Sequence, residues 1–266
     1  MKKIVLIIAA AALLAACNNS TVKNDRNFYA VNCLVQEISV SSDTLEAPYT
    51  ARFNELGQVT EVITTDWDGI LRFHETYTYN SDNQLEEIMG INGENENEIR
   101  YEYEHDGRFI RECRTYGMNN QEMQRWVHTN NRRHIVKTEF YQEGELAYVT
   151  TKKFKGDSYT EKSVTPEGEV IGTASVEYFR DENKPSRIIT DEIDVTIEYN
   201  EQGLPVMSRG VVLNTKGEMM WVGDLDDHPS RYYSYEYDGR GNWVTRYDSY
   251  EPDGTAYAVF RRSIIY

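Results

Sequence analysis

The residues able to do chemistry are few and scattered. Five histidines, His74, His105, His128, His134 and His228, occur in a chain of 266 residues without an HExxH or a CxxC. The ligand spacing of a usual zinc site is therefore missing, and no metal site is assigned. The run Asp224-Leu225-Asp226-Asp227-His228 places three carboxylates in a loop, where they offer calcium oxygen ligands or simply form a solvated acidic loop. The chain has no GxSxG elbow, no GxxxxGK[ST] loop and no GxGxxG after a strand, so nucleophilic and nucleotide chemistry lack their usual residues. None of the 44 Asp and Glu residues stands out as a pair for glycoside hydrolysis. We assign no catalytic residue and no cofactor, and expect a protein that is not an enzyme. The alternative is a cell-envelope, glycan-active hydrolase with an unrecognised carboxylate pair.

Binding is better served than catalysis. Flat aromatic faces offer contact area with little entropy to lose, and there are four tryptophans, Trp67, Trp126, Trp221 and Trp243. Trp67 lies inside the turn Asp66-Trp67-Asp68-Gly69, where an indole is hard to explain as core, so it is the candidate ligand-binding residue. The other three fit core or cross-strand pairing. Cys33 and Cys113 can form one disulfide or stay two buried thiols, and the sequence leaves both readings open. The formal charge of −16 lacks the basic footprint that nucleic-acid binding requires.

The elements that must position these residues are strands. An aromatic-polar-aromatic strand end followed by an Asn/Asp turn recurs at Phe53 to Gly57, Tyr77 to Asn83, Tyr101 to Gly107, Val176 to Asn183, Ile197 to Gly203 and Tyr235 to Asn242, with weaker units near Thr129 and Phe154. The spacing is about 24 residues, inside the range of roughly 20 to 50 that marks repeats. Between these lie second turns, among them Asp66 to Gly69, Asn92-Gly93, Glu143-Gly144, Pro166 to Gly168, Lys216-Gly217 and Pro252 to Gly254. Each unit thus carries two strands and two turns. The expected fold is all-β, an antiparallel up-and-down meander of roughly 16 short strands in hairpin repeats. Alternation in Val195 to Tyr199 and Tyr233 to Tyr237 makes one face apolar, so the sheet must curl on itself or form a barrel-like shell.

The first 17 residues give an address. Lys2 and Lys3 precede an apolar run from Ile4 to Ala16, too short to span a bilayer as a helix but fitting a secretory signal. Leu14-Ala15-Ala16-Cys17 resembles a bacterial lipobox, which implies cleavage before Cys17, acylation of that cysteine and attachment to a lipid bilayer. Loss of Lys2 and Lys3 takes the formal charge to −18. Residues 1–17 are thus expected to be a lipoprotein signal, 18–27 (NNSTVKNDRN) a flexible polar tether and 28–266 the β domain. Asn18 after the cysteine is compatible with outer-membrane delivery in two-membrane bacteria.

Tyr235-Glu236-Tyr237-Asp238-Gly239-Arg240-Gly241-Asn242-Trp243 resembles a YD repeat of the rearrangement-hotspot (RHS) type. The units at Tyr79 and Tyr199 are similar but carry Asn in place of Asp. The resemblance runs over most of residues 50 to 266 and, with the lipobox, extends to small β-meander lipoproteins of two-membrane bacteria. It implies a strand-turn-strand ribbon in an envelope protein, and no catalysis. The function expected is that of a membrane-anchored, non-catalytic binding or scaffold module for a glycan or an envelope protein.

Overall fold

Six turns of the chain are built the same way. In each, an Asn or Asp side-chain oxygen accepts hydrogen bonds from the backbone N–H groups two and four residues ahead. Asn54 accepts from Leu56 and Gln58, Asp66 from Asp68 and Ile70, and Asn80 from Asp82 and Gln84. Asn200 accepts from Gln202 and Leu204, Asn214 from Lys216 and Glu218, and Asp238 from Arg240 and Asn242. The fourth residue turns the chain through the left-handed region, at φ 80° for Gly69 and 79° for Gly241, and Asn83 manages the same at 60°. A short polar side chain that bonds its own backbone and a residue tolerant of positive φ are what such a turn needs.

A computed structural model describes residues 29, 31, 33–42, 46–180, 184–222 and 229–266. Among these are twenty strands. They are β1 (Glu37–Ser42), β2 (Tyr49–Phe53), β3 (Val59–Thr65), β4 (Leu71–Tyr79), β5 (Leu85–Asn92), β6 (Glu98–Asp106) and β7 (Phe109–Tyr116). Next come β8 (Glu122–Asn130), β9 (Ile135–Gln142), β10 (Glu145–Lys155), β11 (Ser158–Val164), β12 (Val170–Tyr178) and β13 (Pro185–Ile189). The series ends with β14 (Asp194–Tyr199), β15 (Pro205–Arg209), β16 (Val211–Leu213), β17 (Met219–Val222), β18 (Ser230–Tyr237), β19 (Trp243–Ser249) and β20 (Ala258–Ile265). The one helical element among the described residues is a 3₁₀ turn at Met118–Asn120. The fold is the all-β antiparallel meander expected, but the count of about 16 strands is too low. Eighteen strands belong to one sheet, and β16 and β17 form a separate ribbon. Counting from repeated turns overlooks β1, Glu-Ile-Ser-Val-Ser-Ser, because no such turn introduces it.

The chain divides into two compact units. One holds residues 103–115 and 122–231, in which β8 to β15 pair consecutively, each pair antiparallel. The other holds residues 29–102, 116–121 and 232–266 of the described chain. There the meander departs from sequence order, since β1 lies between β2 and the last strand, β20, with Ile38 opposite Ala51 on one side and Ile264 on the other. Tyr29, Val31 and Val35 are already buried in this unit, and the Tyr29 ring meets Phe53 edge-on at 5.3 Å.

Each of these six turns is followed by an irregularity of the ladder. Phe53 faces Val59 but Arg52 faces Glu61, Tyr79 faces Leu85 but Thr78 faces Glu87, and Tyr237 faces Trp243 but Glu236 faces Thr245. One extra residue, Thr60, Glu86 or Val244 in these three cases, flips the face of the outgoing strand, as a β-bulge does.

The tyrosine before the turn has its own task. Tyr79 OH donates to the carbonyl of Val59 at 2.7 Å, Tyr178 OH to Gly156 at 2.9 Å and Tyr199 OH to Pro185 at 3.0 Å. Each phenol thus satisfies a backbone acceptor of an earlier hairpin, which a Phe at the same place could not do. Tyr79→Phe is expected to cost about 1 kcal/mol, the net worth of one such bond, seen as a lower urea midpoint at unchanged slope. An unchanged midpoint would remove this account of the motif.

Candidate functional site

The unit of residues 103–115 and 122–231 carries a polar cluster on the buried face of β8 to β12. The registers line up His128, Thr138, Thr150, Ser163 and Gly172 across five strands. His128 Nδ1 and Thr138 Oγ1 are 3.0 Å apart, and the hydroxyls of Thr150 and Ser163 share a hydrogen bond of 2.7 Å. In the next row Lys152 faces Glu161, with 3.9 Å between Nζ and the carboxylate and both side chains nearly buried. Lys152 Nζ also sits 4.6 Å above the Tyr159 ring. A third row pairs Trp126 with Phe140 and Phe140 with Tyr148.

Burial dominates the electrostatics of this cluster. It lowers the His128 imidazole to about 4, helped by the charge of Lys152, so the ring is neutral at pH 7. It raises the Glu161 carboxyl against the pull of Lys152, and raises the Tyr148 phenol with help from Glu161. His128 Nε2 and Trp126 Nε1 are buried without a hydrogen-bond partner. A carboxyl with a raised pKa is what a general acid needs. Hydrolysis of a glycosidic bond needs, in addition, a second carboxyl group about 5 to 10 Å away.

The unit of residues 29–102, 116–121 and 232–266 buries charge in a different manner. On β19, Arg246 donates two hydrogen bonds of 2.7 Å to the two oxygens of Asp248, and the pair is 2% and 1% exposed. The guanidinium lies 4.7 Å from the rings of Tyr233 and Phe260. Burial works against its charge, but the bonds and charge of Asp248 outweigh burial and hold the guanidinium protonated. Arg262, brought down to about 10 by burial, lies over the Trp243 indole at 4.4 Å and donates to the Tyr29 carbonyl. These groups bind one another, so they knit the sheet and leave little for a ligand.

Trp67 sits where the sequence put it, at the β3–β4 turn, and is 61% exposed. Ile70 and Leu71 beside it are also exposed, and no ring or cation faces the indole among the described residues. Asp66 and Gly69 make the turn, so the indole is not needed to shape it. Trp243 is core, and Trp126 pairs across strands with Phe140. Trp221 pairs with Val212 in backbone register. Both cysteines are thiols in the structure: Cys113 is buried on β7, and half-buried Cys33 accepts from Asn242 Nδ2 at 3.5 Å. Cys17 and the run from Asp224 to His228 lie outside the described residues. No described group of three His, Cys, Asp or Glu side chains converges as a metal site. No described helix is long and apolar enough to cross a membrane.

Sequence reading passed over Lys152, Glu161 and the Arg246–Asp248 pair, and set His128 aside with the other histidines. The signal for His128 was present: alternation in Trp126-Val127-His128 puts the imidazole on the face of an indole.

No protein family and no curated protein matches the chain. Among solved structures, a porin-like protein from Bacteroides uniformis ATCC 8492 aligns over 86% of this chain and 96% of its own, at 11% identity and a TM-score of 0.40. A chain of the TcdB2-TccC3-Cdc42 complex aligns over 79% of this chain at 8% identity and a TM-score of 0.24, and only 14% of that chain is covered.

Proposed function

We propose that the protein is a non-catalytic binding module of the cell envelope, held at the outer membrane through acylated Cys17 and the tether 18–27, and that the Trp67 hairpin is its contact with a glycan or protein partner. The observation that supports this reading is an exposed indole, flanked by Ile70 and Leu71, on a turn whose shape depends on Asp66 and Gly69. The equivalent positions of the other turns of this type carry Glu55, Ser81, Glu201, Thr215 and Gly239. A large aromatic kept in water at one tip of a repeated frame costs solubility and contributes nothing to folding, which fits a binding anchor. The RHS-like turns then serve as a rigid frame that presents the tip. A charge of −16 disfavours nucleic acid and anionic lipid as the partner of that tip.

The test uses the full chain in detergent. Trp67→Ala is expected to leave the thermal midpoint unchanged and to weaken partner binding by about tenfold or more, as loss of a hot-spot aromatic does. Binding would be followed by intrinsic fluorescence against envelope polysaccharides and by photo-crosslinking from position 67 on intact cells. Partner binding insensitive to residue 67 in both assays sinks the reading. The competing hydrolase has one observation in its favour, the raised pKa of Glu161. It predicts glycan cleavage that Glu161→Gln abolishes.

A further inference from the structure

Two residues before Trp67, Thr65 ends a groove of about 420 Å³ on β20, β1, β2 and β3, within the size range of small-molecule sites. The registers place Ser263, Ser39, Thr50 and Ile63 side by side across these four strands, with Ser41 and Arg261 opposite one another one step along. With a strand spacing of about 4.8 Å, the three hydroxyls span roughly 10 Å. Ser39 and Thr50 share one hydrogen bond of 2.9 Å, which leaves each hydroxyl capacity for a further partner. The row next to it is of opposite character. Glu37, Arg52 and Glu61 form a chain of ion pairs there, extended to His74, whose Nε2 lies 2.8 Å from the Glu61 carboxylate.

We infer that this groove is an oligosaccharide subsite, continuous with the Trp67 anchor. The inference rests on the reading of Trp67 as a binding residue and adds the class of ligand. A sugar ring offers an apolar face that stacks on an indole and a rim of hydroxyls that both donate and accept. Ser39, Thr50 and Ser263 match that rim with groups of the same kind, and Arg261 adds a fork of donors at one side. An anionic ligand would meet one exposed arginine on a chain of net charge −16. A protein partner would be expected to find a larger apolar centre than Pro48, Ile63 and the tip provide.

The full chain in detergent is titrated with short linear oligomers of glucose, mannose, xylose, galactose and N-acetylglucosamine, read by tryptophan fluorescence and calorimetry. Saturable binding of at least one series is expected. Thr50→Val, which keeps shape and removes the hydroxyl, and Trp67→Ala are each expected to weaken it by about tenfold while the thermal midpoint holds, since a lost polar contact or stacking face is worth that order. Binding that Trp67→Ala abolishes but Thr50→Val and Ser39→Ala leave intact would overturn the groove and keep the anchor. Capture of an envelope protein by a crosslinker at position 67, with no sugar bound, would overturn the saccharide and likewise keep the anchor. Sugar binding lost in Thr50→Val and unaffected by Trp67→Ala would keep the groove as a sugar site, overturn its continuity with the tip and remove the anchor. Silence in both assays overturns both.

Discussion

Asp248→Ala is expected to destabilise the protein by about 3–5 kcal/mol, because it strands the Arg246 guanidinium, 2% exposed between the rings of Tyr233 and Phe260, without the carboxylate that takes two of its hydrogen bonds. Breaking a buried pair from one side leaves an uncompensated charge, and that penalty is typically of this size. Domains have only about 5–15 kcal/mol in hand, so the variant should melt far below the parent or fail to accumulate. The double variant Arg246→Met, Asp248→Leu separates the two terms. With both charges gone, an apolar pair of similar volume is expected to fold at near-parental stability, because the ion pair gains little over its own desolvation. Chemical denaturation of the three proteins decides the matter. A loss below about 1 kcal/mol in Asp248→Ala would mean that water or another acceptor reaches Arg246.

That pair also shows where the sequence stops being readable. The turns are legible because their physics is local: Asn or Asp, two free positions and a residue tolerant of positive φ determine the hydrogen bonds among five consecutive residues. Trp67 was legible for the same reason, since a position inside such a turn has no core to enter. Faces of the strands were legible only before each turn. Val195 and Ile197 are buried as alternation requires, but the extra residue at Val244 shifts the period after Trp243. Counting by twos from buried Trp243 then points to Thr245 and Tyr247, while the structure buries Arg246 and Asp248. A charged residue in a strand reads as solvent-facing unless that bulge is anticipated. The pairing of β1 with β20 joins residues more than 200 positions apart, and no local pattern in Glu37–Ser42 announces it. The cluster of His128, Lys152 and Glu161 was missed for a third reason. Its members come from three strands, and only the registers of β8 to β11 bring them together.

The same cluster should make stability depend on pH through His128. Its folded pKa of about 4 lies below the ordinary histidine value of 6.5, because burial and the charge of Lys152 disfavour the imidazolium. Above pH 6.5 both the folded and the unfolded chain hold the ring neutral, and its contribution is fully present. As the pH falls from there toward 4, the unfolded chain takes up a proton that the folded one refuses, so stability falls by about 1.4 kcal/mol per pH unit. The whole window is worth on the order of 3 kcal/mol. Glu161 works in the other direction. Its raised folded pKa means that the folded state holds the proton more tightly, so its contribution is present in acid and is lost as the pH rises through that value. The measured curve is the sum, and His128→Gln isolates the histidine term: between pH 7 and pH 4 the parent is expected to lose on the order of 3 kcal/mol relative to the variant. Lys152→Met should make that slope shallower by removing the positive charge beside the ring. A His128 ring-proton titration near pH 6.5 in the folded protein would show that water or an anion reaches Nε2, and that the face holding Glu161 is open to solvent.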